Sequence, residues 1–307
     1  MFLTICIPTY NREVTILRTL KSLEKEEFQD FEVIIVDDGS TDNTEKSIEQ
    51  YKKDSKLNIR YLKKENGGKH SALNIGIEEA KGDFFWILDS DDWIKYGALK
   101  EMYNECMKIA NNEDYSGIMG RCMTHEGTII GKAFPNDPFI SSYVDFHFLS
   151  GIKYGPFGDC CECNKTKIIK KYRFPEIEGT KFVPEAYIFD QIGAKYKLLC
   201  TNKVYRYTEY MEDGISNTID YKDKNILGFL HHYVSRLENV FPYVSDISLK
   251  LKIIAWWRYW NSVKKDYNKK GPRVKKVSIL GYLVYVLNPL INFTFNMCHI
   301  EIVKKGR

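Results

Sequence analysis

The sequence predicts an α/β fold: a mostly parallel sheet with helices on both faces, plus a helical C-terminal extension. Two observations predict it. First, residues 1–125 alternate between short, nearly continuous apolar runs and segments with apolar residues at helical spacing, the βαβ rhythm of a sheet buried on both sides. Second, three polar clusters follow apolar runs: Thr9-Tyr10-Asn11-Arg12, Asp37-Asp38-Gly39-Ser40 and Asp89-Ser90-Asp91-Asp92. Ligands of such sheets bind beyond the carboxyl ends of the strands. The 307 residues, 44% hydrophobic and 28% charged, suffice for a sizeable core and exclude global disorder.

The elements follow in order. Leu3–Ile7 is a short buried strand stopped by Pro8. Val14, Leu17 and Leu20 mark a helix. Phe31–Val36 is the second strand, after which Thr41 or Asp42 caps a helix reaching about Lys53. Asn58–Leu62 is the third strand. Asn66-Gly67-Gly68 turns into a helix over Lys69–Ala80, ended by Gly82. Phe84–Leu88 is the fourth strand. A helix from about Gly97 to Ile109 and a strand from about Gly117 to Met123 complete this half. Residues 126–220 are less periodic and form an acceptor-side region of the same domain. Residues 225–268 read as helical. Residues 277–300 carry no Lys, Arg, Asp or Glu. Residues 1–220 are therefore expected to form one domain, and 221–307 a helical, basic region.

Charge is divided unevenly. From Lys250 to Arg307 there are thirteen Lys and Arg against Asp266 and Glu301, whereas the rest of the chain is net acidic, although the whole carries only +4. A basic tail on an acidic body points to an anionic partner. Within the tail, Ser278, Gly281, Tyr285, Asn288, Asn292, Asn296 and His299 recur every three or four residues. They form one polar or small face opposite Leu, Ile, Val and Phe. Together with flanking Arg273, Lys275 and Lys276 and the tryptophans Trp256, Trp257 and Trp260, this predicts a helix lying in a membrane interface. No nucleic-acid-binding motif accompanies the charge. The apolar run at residues 2–7 is too short for a secretory signal, so the eight cysteines are expected as free thiols in a reducing cytoplasm.

The clusters suggest chemistry. Asp89 and Asp91, two apart in a strand-end turn, can aim two carboxylates at one point and hold Mg²⁺ or Mn²⁺, or they can simply cap and solvate. Asp38 can accept a hydrogen bond from a nucleobase N–H, and Tyr10 can stack on the base. The absence of glycine in Pro8-Thr9-Tyr10-Asn11-Arg12 argues against a dinucleotide fold. Cys160-x-x-Cys163 has no second ligand pair at zinc spacing and reads as a strand.

Ile7-Pro8-Thr9-Tyr10-Asn11-Arg12, Val36-Asp37-Asp38-Gly39-Ser40-Thr41-Asp42, Gly67-Gly68-Lys69 with Asn74-Ile75-Gly76, and Leu88-Asp89-Ser90-Asp91-Asp92 resemble family 2 glycosyltransferases of the GT-A fold over about residues 1–125. The resemblance implies metal-dependent, inverting transfer of a sugar from a nucleotide-sugar, usually UDP-linked. By that likeness Pro8, Thr9, Tyr10 and Asp38 hold the base and Lys69 lies near the diphosphate. Asp89 meets the ribose or the metal's water shell, and Asp91 ligates the metal. Asn74 supports the nucleotide loop. The family's Glu-Asp doublet is missing here. Glu185, after Pro184 and before a helix to Tyr196, is the nearest match to the general base, with Asp190 as the second candidate. Asn202–Tyr207 resembles the family's returning strand, and Asp159 is a candidate for binding an acceptor hydroxyl. No Gln-x-x-Arg-Trp motif of processive members occurs, so single addition is expected. The implied partners are a nucleotide-sugar, a glycan or lipid-linked acceptor and an anionic membrane, with the protein peripheral on the inner face. A nucleotidyltransferase and a catalytically silent scaffold are the rival readings.

Overall fold

The computed structural model describes residues 1–150, 157–209 and 221–294. The first elements are β1 (Leu3–Thr9), α1 (Thr15–Glu24), β2 (Phe31–Asp37), α2 (Thr44–Asp54), β3 (Ile59–Lys63), α3 (Lys69–Glu79) and β4 (Phe84–Ile87). Then come β5 (Trp93–Ile94), α4 (Ala98–Met107), β6 (Tyr115–Thr124), β7 (Phe139–Ser141), β8 (Cys160–Lys165), the single turn α5 (Thr166–Ile169), α6 (Ala186–Gly193) and β9 (Lys197–Thr208). Among the described residues all nine strands join one sheet, in the order β3-β2-β1-β4-β8-β6-β9-β5, with β7 beside β9.

The two faces of the sheet follow from the strand alternation. Leu3, Ile5 and Ile7 of β1 and Val33 and Ile35 of β2 pack with Ile16 and Leu20 of α1, Ile48 of α2 and Met102 of α4. Cys6, Ile34 and Val36 face the other way, onto Leu73 and Ile77 of α3 and Ile188 and Ile192 of α6. Helices therefore cover both faces, as expected. The sheet is mixed, with six of its nine described strands, β6 and β9 among them, running the same way. β3, β2, β1 and β4 run parallel, but β8 is antiparallel to β4 and β6, and β5 and β7 are antiparallel to β9. The long excursion before β8 lets the chain return from the opposite end, which a short hairpin pattern would have announced in sequence.

Local expectations change in four places. β1 does not stop at Pro8 but runs to Thr9, with Pro8 opposite Val36. The β4 register ends at Cys6, and Leu88 N donates to Cys6 O. Pro8 shares that side of the strand, so its missing N–H falls where pairing has already ended. Gly82 does not end α3, since the helix closes at Glu79 and Ala80 is extended. Gly82 is needed because a Cβ there would lie 2.5 Å from backbone atoms of Leu3 and Thr4. Residues 225–268 are two helices, α8 (Ile226–Ser235) and α9 (Leu249–Lys265), preceded by the turn α7 (Tyr221–Lys224). Pro242 lies in the irregular turns between α8 and α9, and Ser248 restarts the helix by accepting from Leu251 N. The uncharged segment forms α10 (Ile279–Val286) and a second helical stretch over 288–294, where Pro289 falls in a first turn. Asn296, His299 and Cys298 lie outside the described residues.

α8, α9 and α10 share their own apolar cluster of Leu230, Val234, Trp256, Tyr259 and Val284. The seven described cysteines are free and buried.

Candidate active site

The three clusters converge at the carboxyl ends of β1, β2 and β4. Pro8 and Thr9 are buried at the end of β1, and Tyr10 is exposed. Thr9 Oγ1 is buried without a hydrogen-bond partner among the described residues. A buried hydroxyl of this kind is costly unless something satisfies it. Asp37 is wholly buried and structural: it accepts from Ser40 N and Tyr61 Oη.

Asp38 holds the glycine turn. Its Oδ1 accepts from Lys64 Nζ and Gly67 N, both at 2.8 Å, and its Oδ2 accepts from Gly68 N at 2.6 Å. Gly68 has φ +93°, and a Cβ there would fall 1.9 Å from Lys181 O, so only glycine fits. Lys181 Nζ in turn donates to Asn66 O. The segment leading to Glu185 is thereby pressed onto the start of α3. Asn74 strengthens the same join, not the nucleotide loop: it donates to Phe174 O and Glu176 and accepts from Phe174 N.

The consequence is a three-residue cluster drawn from three separate motifs. Lys69 Nζ, at the N-terminus of α3, lies 2.5 Å from Asp89 Oδ1 and 2.8 Å from Glu185 Oε1. Burial would lower the Lys69 pKa, but the two carboxylates outweigh it and hold the ammonium above its ordinary value. Asp89 shows the mirror image. Burial opposes its charge, yet Lys69 and Arg206 keep it below the usual carboxylate range. Asp91 differs. Burial first, then the charge of Asp89, push it up, while Arg12, 3.9 Å away, opposes them. Arg18 fixes the loop by donating to Asp91 O at 2.6 Å.

Several participants escaped the sequence reading. Arg206 on β9 pairs with Asp92 at 3.2 Å and donates to Cys122 Sγ at 3.2 Å. Burial pushes Asp92 up to about 7 against that arginine. The neighbouring Cys161 thiol and, after the opposing effect of burial, Arg206 bring Cys122 down to about 6. Burial, reinforced by Cys122 and Glu185 and opposed by Arg206, lifts Glu162 on β8 to about 8. Arg206 stood in the returning-strand pattern, but nothing in the sequence showed that it would face the Asp89–Asp92 loop.

The two candidate bases part company. Glu185 stands just before α6 with its carboxylate in the cluster rather than on the helix end, 33% exposed. Asp190 sits one turn further on and is 1% exposed, bound by Arg236 Nε at 2.6 Å and by His147 Nδ1. The structure does not bring Asp190 to Lys69 and Asp89. Asp159 is exposed, two residues before Cys161.

The sequence model of glycosyl transferase family 2 matches residues 4–165. The chain belongs to glycosyl transferase family 2. A GalNAc(5)-diNAcBac-PP-undecaprenol beta-1,3-glucosyltransferase of Campylobacter jejuni is 32% identical over 137 residues, 43% of this chain and 41% of that protein. An uncharacterized glycosyltransferase of Rickettsia conorii is 39% identical over 297 residues, 82% of this chain and 48% of that one. The chain thus spans less than half the length of these curated relatives. Among solved structures, S. aureus TarS superposes with a TM-score of 0.59 at 21% identity, covering 94% of this chain and 48% of TarS. The mannosyltransferase PcManGT of Pyrobaculum calidifontis, solved with GDP-Man and Mn²⁺, gives 0.54 at 15% identity, covering 95% of this chain and 80% of that one. The fold of this family 2 glycosyltransferase is the GT-A fold.

Proposed function

We propose that this chain transfers a sugar from a UDP-sugar, with inversion, to a hydroxyl of a glycan or lipid-linked acceptor in cell-surface polysaccharide synthesis. It works as a peripheral protein on the cytoplasmic face of an anionic membrane. Residues 1–220 are the catalytic unit and 221–307 the attachment region. The observation that carries the reading is the Lys69 bridge, which sets Glu185, from the acceptor half, beside Asp89, from the donor half.

Each residue then has a task. The unpartnered Thr9 hydroxyl and the exposed Tyr10 ring receive the base, while Asp38 keeps the glycine turn in place beneath it and accepts from the base N–H. Lys69, held charged, meets the diphosphate. Glu185 accepts the proton of the acceptor hydroxyl as that oxygen bonds to the anomeric carbon and the bond to UDP breaks. Asp159 binds the acceptor.

A divalent cation, Mg²⁺ or Mn²⁺, fits the donor set. Asp91 with Asp89, two residues apart in the loop after β4 and close enough for Asp89 to raise the pKa of Asp91, would hold it and leave room for phosphate oxygens. The crowding of Asp91 by Asp89 is what a bound cation relieves. When bound, it supplies Lewis-acid stabilisation of the charge on the departing diphosphate.

A screen of nucleotide-sugars with Mn²⁺ tests the reading. Free UDP is the expected product. Pyrophosphate released from UTP and a sugar 1-phosphate, with no UDP from any nucleotide-sugar, would mark a nucleotidyltransferase, and UDP binding without any turnover a silent scaffold.

A further inference from the structure

Gly281, Asn288 and Asn292 of the C-terminal stripe face inward, while Ser278 and Tyr285 of the same stripe are exposed. Trp260 Nε1 donates to Gly281 O at 2.9 Å, Trp257 Nε1 to Asn292 Oδ1 at 2.6 Å, and Lys264 Nζ to Asn288 Oδ1 at 2.6 Å. Asn288 is wholly buried. A Cβ on Gly281 would lie 2.7 Å from the Trp256 ring, so the missing side chain lets the indole pack on the helix. Val284 joins these residues on α9, with Leu280 and Ile291 packed beside it, and the remaining apolar residues of the segment point outward. Ile279 is 84% exposed, Leu290 64% and Phe293 66%, and Tyr282, Leu283 and Val286 are exposed between them. Soluble monomers rarely leave so continuous an apolar surface uncovered.

The charge around this surface is predominantly positive, with Glu238 the acid that borders it. Lys269, Lys270, Lys275 and Lys276 are exposed on the connector before α10. The one acid between residues 249 and 294, Asp266, is buried and paired with Arg273 at 3.0 Å. Lys252, Lys275 and Lys276 also edge an open groove walled by Leu237, Phe241, Trp256 and Leu280, in which Glu238 is tied to the backbone of Lys275. α10 is eight residues, about 12 Å of helix against a hydrocarbon core of about 30 Å. No helix of the described residues is long and apolar enough to cross a membrane.

We infer that the outward face of α10 and of residues 288–294, with the lysines of the 269–276 connector, is a docking surface for an anionic lipid bilayer, lying flat in the headgroup region. A second copy meeting this face about a two-fold axis would bring the same lysines together, whereas anionic headgroups neutralise them while the acyl boundary takes Ile279, Leu290 and Phe293. The inference rests on the reading of the chain as membrane-peripheral, and it names the surface that makes the contact.

Flotation of the full chain with vesicles tests it. The wild type should float with phosphatidylcholine vesicles doped with phosphatidylglycerol, and only weakly with phosphatidylcholine alone. K275Q/K276Q should lower partitioning to the doped vesicles roughly tenfold or more, since each basic residue near the surface contributes about a factor of five. I279S/L290S/F293S, all at exposed positions, should abolish flotation and leave UDP release in solution unchanged. A wild type that stays with the soluble fraction in both vesicle types overturns the inference. So does a triple-serine variant that floats normally, or one whose only change is loss of a concentration-dependent dimer. If the vesicle results hold but no nucleotide-sugar is turned over, the catalytic reading fails and the docking surface stands.

Discussion

The loop after β4 and the α9–α10 pair depart from the usual distribution of side chains in opposite ways. In the loop, charges are taken partly or wholly out of water: Asp92 is 2% exposed, and Asp89 and Asp91 stand close enough to perturb each other. Every one of them is answered by a residue far away in sequence, Lys69, Arg206 or Arg12. In the helical pair it is apolar residues that stand in water, and nothing in the described chain answers them. Buried charge that is compensated internally is a preorganised site; exposed apolar surface that is not compensated needs something from outside. On the function proposed above, the two regions would divide the work between them, chemistry in one and attachment in the other.

The sharpest break in that comparison comes from the loop. Asp91→Ala should abolish sugar transfer and metal-dependent UDP binding, while vesicle flotation is untouched. Turnover of UDP-sugar at the wild-type rate would remove Asp91 from the metal site. Glu185→Gln comes next. It should lose about 10²–10⁴ in kcat through lost proton acceptance and largely keep UDP-sugar affinity by calorimetry, because Asp89 still pairs with Lys69 when the Glu185 charge is gone. If kcat is unchanged, Glu185 is not the base.

Asp190 sharpens the contrast by behaving otherwise. Arg236 and His147 hold its carboxyl well below the usual range against the cost of burial. Asp190→Asn should therefore act on the fold. Breaking a buried pair costs about 3–5 kcal/mol, which thermal unfolding would read as a lowered Tm, with kcat of the folded fraction near that of wild type. A variant with normal Tm and lost transfer would return Asp190 to the chemistry.

The legibility of the sequence differed between the regions for a physical reason. The donor half could be read because strand alternation and strand-end clusters are local patterns: Leu3–Ile7 and Phe31–Val36 lie in strands, as does Phe84–Leu88 up to Ile87, and their polar ends meet. The sheet's second half was not legible, since β5 has two residues and β7 three, too short to show a period, and the antiparallel insertion of β8 is a non-local choice. Arg206 and Glu162 were missed because their role depends on which strand lies beside which. In the tail the amphipathic stripe was plain, but which side would turn inward was not. That was decided by Trp257, Trp260 and Lys264, whose donors reach Gly281 O, Asn292 and Asn288.

The smallest effect expected is a pH dependence with one source on the donor side. His70, on α3 beneath the Asp38 turn, is 2% exposed, and burial, with the nearby Asp38 and Glu176 opposing it, lowers its pKa to about 4 from 6.5. Between those values the unfolded chain binds a proton that the folded chain refuses, so stability rises with pH there. The contribution is whole above about pH 6.5 and is lost as the pH falls toward 4, amounting to roughly 3 kcal/mol at most. Urea unfolding of the wild type should weaken over that interval, and His70→Gln should weaken less. His231 and His232 on α8 are lowered by burial in the same direction, so the acid limb should become shallower in the variant without disappearing. The described part of α9 and α10 contains no histidine, and its packing should add nothing to the slope. Identical slopes for wild type and His70→Gln would mean that the imidazole takes up its proton without leaving the folded state.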